Sequence, residues 1–179
     1  MTDSRNAEAR AINALRRVVR ALRIAGGLAE QRLGLSGAQV FVLEQLAAKP
    51  EQSISELMRR TMTSQSSVSE VVARLVGQRM VSRRQSSTDG RRVVLALTPR
   101  GRSALRSAPG SAQERLMSGF KQLTPTHGAR LATLLEEWLS AAGIARTPAT
   151  MFLEDSLDGK GSGPRRGSPR RRATRSVTG

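Results

Sequence analysis

The chain has 179 residues and a formal net charge of +16, from 30 Lys and Arg against 14 Asp and Glu. It has no cysteine, which excludes a disulfide framework, thiolate zinc sites and cysteine redox sensing, and a single histidine, His127, which argues against a histidine metal site. No signal-type apolar segment opens the chain and no apolar run approaches the roughly 18 residues of a membrane span, so a soluble, cytoplasmic protein with no membrane contact is expected. The arginine excess points first to nucleic acid.

From about Ser4 to Gly26, Ala11, Ala14, Leu15, Val18, Val19 and Leu22 recur at helical spacing. Gly26-Gly27 weakens the end of this helix, which has room to continue toward Arg32. A second helix follows Ser36, its expected N-cap, and ends before Pro50, with Val40, Leu43, Leu46 and Ala47 as the buried stripe and Phe41 beside it. Next, Ser53 or Ser55 caps a short helix running to about Arg60. Thr61 to Thr63 form a turn, and Ser64 caps a helix running to about Gln78. Two helices joined by so short a turn make a helix-turn-helix.

The second helix of that pair has two faces. Val68, Val71, Val72, Leu75 and Val76 form a narrow apolar stripe. Opposite lie Ser66, Glu70, Ala73 and Gly77, flanked by Ser69 and Arg74. A helix that enters a major groove needs small residues for close approach and polar groups for base edges, and this face supplies both. An ordinary amphipathic surface helix has the same stripe, but serine is a mediocre helix former unless it caps or contacts something.

Two strand-like runs follow, MVSRRQSS and RRVVLAL, with Asp89-Gly90 between them as a hairpin signal. Thr98 and Pro99 then form an N-cap and first helical residue, and Thr124 and Pro125 repeat the device. Pro109-Gly110 predicts a break in the helix over 99–122. In the last helix Leu131, Leu134, Leu135, Trp138 and Leu139 make an apolar face, and Gly143 closes it. Met151–Leu157 has the look of a short docking turn. The rest of the segment beyond Arg146 is rich in Gly, Ser, Pro and Arg and is expected to be disordered, with Arg165, Arg166, Arg170, Arg171, Arg172 and Arg175 adding sequence-independent phosphate contacts.

In this order, SELMRRTMTSQSSVSEVVARLVGQRMVSRR and DGRRVVLALTPRG resemble the MarR family of bacterial winged-helix regulators. The specific signature is Asp89, any residue, Arg91, five residues, Leu97-Thr98, two residues, Gly101. The resemblance covers about residues 5–143. It implies a mainly α fold with a small β-hairpin wing: a winged helix-turn-helix plus a helical dimerisation region. The divisions are a dimerisation helix (1–34), the DNA-binding domain (35–98), two further dimerisation helices (99–145) and the basic tail (146–179).

Carried onto this sequence, the family's groove-facing positions are Ser64, Gln65, Ser66, Ser67, Ser69 and Glu70, with Arg74 as a phosphate or structural contact. In the wing, the resemblance has Arg91 enter the minor groove, Asp89 orient it or pair near it, and Arg92 meet phosphate. Leu15, Val18, Val19, Leu22, Leu131, Leu134, Leu135, Trp138 and Leu139 form the dimer interface. The implied partners are a palindromic DNA operator, a second copy of the chain and, in many members, a small-molecule effector. The implied role is a sequence-specific regulator, most often a repressor. The other reading of the charge is an architectural protein that coats duplex DNA with little sequence preference. No P-loop, Gly-x-Gly-x-x-Gly after a strand or nucleophile–base pair stands in the chain, so no enzyme activity, catalytic residue, cofactor or metal is expected.

Two positions depart from the family pattern: Met62 and Arg79 stand where glycine is usual. Those glycines serve positive-φ backbone, where another residue costs about 1 kcal/mol.

Overall fold

A computed structural model describes residues 2–87, 89–147 and 149–151. Helix α1 (Thr2–Leu33) runs straight through Gly26-Gly27 and stops only where Gly34 takes a left-handed φ of 64°. Its continuation is held by packing: Leu22, Gly26 and Ala29 are buried.

Helix α2 (Gly37–Ala48) is the centre of the molecule. Ser36 and Gln39 cap its start reciprocally, the Gln39 amide N–H donating to Ser36 Oγ at 3.2 Å and the Ser36 amide N–H to Gln39 Oε1 at 2.9 Å. The single stripe read from spacing is too narrow. Val42, Gln39 and Gln45 are buried as well, while Ala47 is exposed. A helix buried on nearly every side has neighbours on every side, and no periodicity announces them.

Helices α3 (Ile54–Thr61) and α4 (Gln65–Gly77) form the helix-turn-helix. Ser53 is the cap of α3, in a capping box with Glu56. Strands β1 (Val81–Gln85) and β2 (Val93–Leu97) pair antiparallel, from Val81 with Leu97 to Gln85 with Val93. Helices α5 (Pro99–Ser107) and α6 (Ala112–Lys121) are separate, broken at Pro109-Gly110 as the sequence predicts, and α7 (Pro125–Ala141) closes the described fold.

One core holds the winged-helix unit together. Phe41, Leu43, Leu46, Leu57, Val68, Val72, Leu75 and Leu95 are fully or almost fully buried in it. Burying each such side chain contributes roughly 1.5–3 kcal/mol. Met151 joins this cluster at 2% exposure, so the chain beyond α7 returns to the winged helix. The rest of the Met151–Leu157 segment lies outside the described residues.

Candidate nucleic-acid interface

The turn before α4 is built on strain. Met62 adopts φ 53° as the cap of α3, and Arg79 adopts φ 58° just after α4. Both positions keep the left-handed backbone that the family's glycines serve, without glycine. Ser64 then caps α4, its hydroxyl accepting the Ser67 amide N–H at 3.2 Å.

On α4 the residues named from sequence divide. Ser64, Gln65, Ser66 and Glu70 are exposed, and Ser69 is half-buried. Ser67 is 4% exposed and does not face outward. It stands one turn before Val71 and two before Leu75, on the core stripe, where its small side chain fits. Glu70 and Arg74 satisfy each other at 2.7 Å, one helical turn apart.

The wing loop is not the two-residue Asp-Gly turn that the dipeptide suggests. It spans residues 86–92, and Gly90 is not among the residues with positive φ. Asp89 Oδ1 instead accepts the Arg91 backbone N–H at 3.0 Å, an Asx turn, and the Arg92 N–H reaches the Asp89 carbonyl at 2.9 Å. Asp89 therefore orients the backbone that presents Arg91 and makes no bond to its guanidinium. Arg91 is exposed, and among the described residues no acid pairs with it.

Two acids brace the wing from behind. Glu56 Oε2 accepts Arg92 Nη2 at 2.9 Å. Glu51, at φ 57°, accepts Arg84 Nη2 at 2.6 Å and the Ser87 hydroxyl at 2.8 Å. Arg92, read as a phosphate contact, is thus already paired within the chain. The Ser53 amide and hydroxyl, and then Arg92 and Lys49, hold the Glu56 carboxyl below its ordinary range.

Sequence reasoning also missed Gln52, which is fully buried. Its carbonyl accepts the Leu95 amide N–H at 2.7 Å, docking β2 on the loop before α3, and its Nε2 donates to the Gln45 and Lys49 carbonyls at the end of α2. A polar side chain between Pro50 and a cap reads as loop; only tertiary packing gives it this role.

The Thr98–Gly101 part of the signature has a steric reason. The Thr98 amide N–H bonds the Met80 carbonyl at 3.0 Å, its hydroxyl lies 2.7 Å from the Arg79 carbonyl, and that hydroxyl accepts the Gly101 amide N–H at 3.1 Å. A Cβ on Gly101 would collide with the Met80 carbonyl.

The apolar faces of α1 and α7 are open. Leu15, Val19, Leu131, Leu134, Leu135, Trp138 and Leu139 are all exposed, Leu134 at 51%. Val18 is half-buried. Leu22, read as a dimer residue, is 7% exposed and is committed to packing within the chain. In α7 only Gly128 is buried, in contact with the Phe120 ring. His127 is exposed and gives its backbone N–H to the Thr124 cap. The tail arginines Arg165, Arg166, Arg170, Arg171, Arg172 and Arg175 lie outside the described residues. Among the described residues no helix is long and apolar enough to cross a membrane, and no cluster of three His, Cys, Asp or Glu exists.

The helix-turn-helix, the two-stranded wing behind it and the Thr98–Gly101 corner all fall in or beside the segment that matches the MarR family's sequence pattern, residues 33–92. That stretch is a MarR-family winged helix. The MarR family are DNA-binding transcription regulators, and residues 33–92 are the part of this chain that matches their pattern. Its fold is similar to that of a MarR/EmrR family transcriptional regulator from Acinetobacter sp. ADP1, at 19% identity and TM-score 0.50, over 78% of this chain and 96% of that one. Wild-type MarR from E. coli is 22% identical, with TM-score 0.48 over 73% and 96% of the two chains. The regulator BldR from Sulfolobus solfataricus is 20% identical, with TM-score 0.49 over 76% and 96%. No curated protein matches the chain by sequence.

Proposed function

We propose that this chain is a homodimeric, sequence-specific transcriptional repressor that reads an imperfect DNA palindrome. The observation that carries the reading is the outer start of α4, where Gln65, Ser66 and Glu70 stand clear of the core beside a wing whose exposed tip carries the unpaired Arg91. Ser66 and Glu70 meet base edges in the major groove, Gln65 and Ser69 lie on the side of α4 that faces the wing, Ser64 stands at the groove's lip and Arg74 holds Glu70 in place. Arg91 enters the adjacent minor groove, where a narrow groove concentrates negative potential. A second copy covers the open leucine faces of α1 and α7, and the two reading helices then span half-sites about one helical turn apart, roughly 34–36 Å. The tail arginines add phosphate contacts that carry no sequence preference. Release by a small effector is carried over from the family resemblance alone.

The test is fluorescence anisotropy with the protein's own upstream DNA and a scrambled duplex from 50 to 300 mM salt. A preference of about 10³-fold or more that survives at physiological salt is expected. Arg91→Ala is expected to weaken binding and leave the dimer intact by light scattering. The net charge of +16 favours a second reading, a DNA-coating protein. Equal binding to both duplexes, with no site emerging from random DNA, would establish it.

A further inference from the structure

Between the start of α4 and strand β1 lies a cleft lined by Ser53, Ser55, Gln65, Ser69 and Arg83 and by the apolar Ile54, Val93 and Leu95; Ser53 is taken up by its capping box with Glu56. Among the described residues the side chains of the other four polar residues, Ser55, Gln65, Ser69 and Arg83, make no hydrogen bond or ion pair. The nearby acids are all committed: Glu51 to Arg84 and Ser87, Glu56 to Arg92 and Ser53, Glu70 to Arg74. Of the four cations on the wing, Arg83, Arg84, Arg91 and Arg92, Arg84 and Arg92 are internally neutralised. Arg83, like Arg91, is not. The cleft is therefore a positive pocket of free donors bounded by the two elements proposed to enter DNA.

We infer that this cleft seats a backbone phosphate of the DNA strand that divides the two grooves, with Arg83 as its cation and Ser55, Gln65 and Ser69 as its hydrogen-bond donors. The inference rests on the proposed docking. Adjacent major and minor grooves are separated by one sugar–phosphate strand. If α4 lies in one and the wing in the next, that strand crosses the gap between them, and the gap is this cleft. A phosphate there needs a cation that is not already paired and donors without partners, and the cleft supplies both. The contact sets register and affinity and does not read sequence.

The experiment compares wild type, Arg83→Gln, Arg83→Lys and Arg84→Gln on the selected operator across salt, with single neutral methylphosphonates placed along each strand. Arg83→Gln is expected to bind about tenfold more weakly and to lower the slope of log K against log salt by about 0.9, the value of one phosphate. Arg83→Lys should restore most of the slope, and Arg84→Gln, whose charge is already paired, should change it little. One methylphosphonate between the major-groove and minor-groove contacts should weaken wild type by a similar factor and leave Arg83→Gln unchanged. An unaltered slope in Arg83→Gln, or a methylphosphonate penalty equal in both proteins, overturns the phosphate seat while leaving the regulator reading in place. Thermal protection of wild type by millimolar inorganic phosphate, lost in Arg83→Gln, with no methylphosphonate effect would assign the cleft to a free anion and also overturn it. If wild type shows no sequence preference, it is the regulator reading that falls.

Discussion

The winged-helix unit and helices α1 and α7 solve the burial problem differently. Around α2, leucine, valine and phenylalanine side chains are covered by α3, α4, β2 and α5 of the same chain. On α7 the same residue types at equally regular spacing lie in solvent, and only Gly128 is buried. Both segments have the apolar pattern of a helix with a partner. What separates them is where the partner is. A contiguous apolar face of this kind marks an interaction site, and the proposed second copy is the partner that this comparison puts to the test.

The sharpest break of this contrast is Leu134→Asp. A charge in the centre of the α7 face should convert the dimer to monomer in sedimentation and cut operator affinity by at least about 10²-fold, since two linked half-sites bind through effective concentration. The winged helix should stay folded. A protein that remains dimeric would place the interface elsewhere. Gly101→Ala acts on the other region. The new methyl group meets the Met80 carbonyl, so stability should fall by about 1–3 kcal/mol in denaturant, with the dimer retained at conditions where the chain is folded.

The smallest effect sharpens the seam where the two regions meet. Glu44 of α2 accepts the Ser111 amide N–H, at the cap of α6, at 2.8 Å, and its other oxygen is buried without a partner. Burial pushes its carboxyl above the ordinary value of 4.5. The Ser111 bonds and Arg115 oppose that shift, and Glu114 adds to it. Between 4.5 and the raised value the folded chain keeps a proton that the unfolded chain has released, so this group's contribution to stability falls as pH rises through that window. Glu56 behaves oppositely. Its pKa is lowered, so its contribution is present above 4.5 and is lost as pH falls through its folded value. Glu44→Gln keeps an oxygen for Ser111 and removes the ionisation. Urea unfolding from pH 4.5 to 8 should show a flatter pH dependence than wild type and equal or greater stability at pH 7. A pH profile identical to wild type would mean that Glu44 ionises as freely in the folded chain as in the unfolded one.

Most of the architecture was legible because it is local. Ser36, Ser64, Thr98 and Thr124 each cap the helix that the sequence assigns to them, and Pro109-Gly110 breaks the one that it should. The site was legible only in outline. The family resemblance carries Ser67 outward with its neighbours, although its place one turn before Val71 and two before Leu75 puts it on the core stripe. Spacing cannot show that Arg92 and Arg84 are paired by glutamates more than thirty positions earlier in the chain, or that Gln52 docks β2. The left-handed backbone at Met62 and Arg79 was visible only through the resemblance, because neither residue prefers it.

The Thr98 corner has a mechanical consequence. The residues that end α4, begin β1, end β2 and open α5 share one knot of bonds through the Arg79 and Met80 carbonyls, with Gly101 pressed against it. There is no slack in such a joint for the reading helix to swivel independently of α5. The pitch at which α4 presents itself is therefore set outside the winged helix, by the direction in which α5 leaves it. In the proposed dimer, the spacing of the two α4 helices would then follow from the angle at which α5 leaves each winged helix.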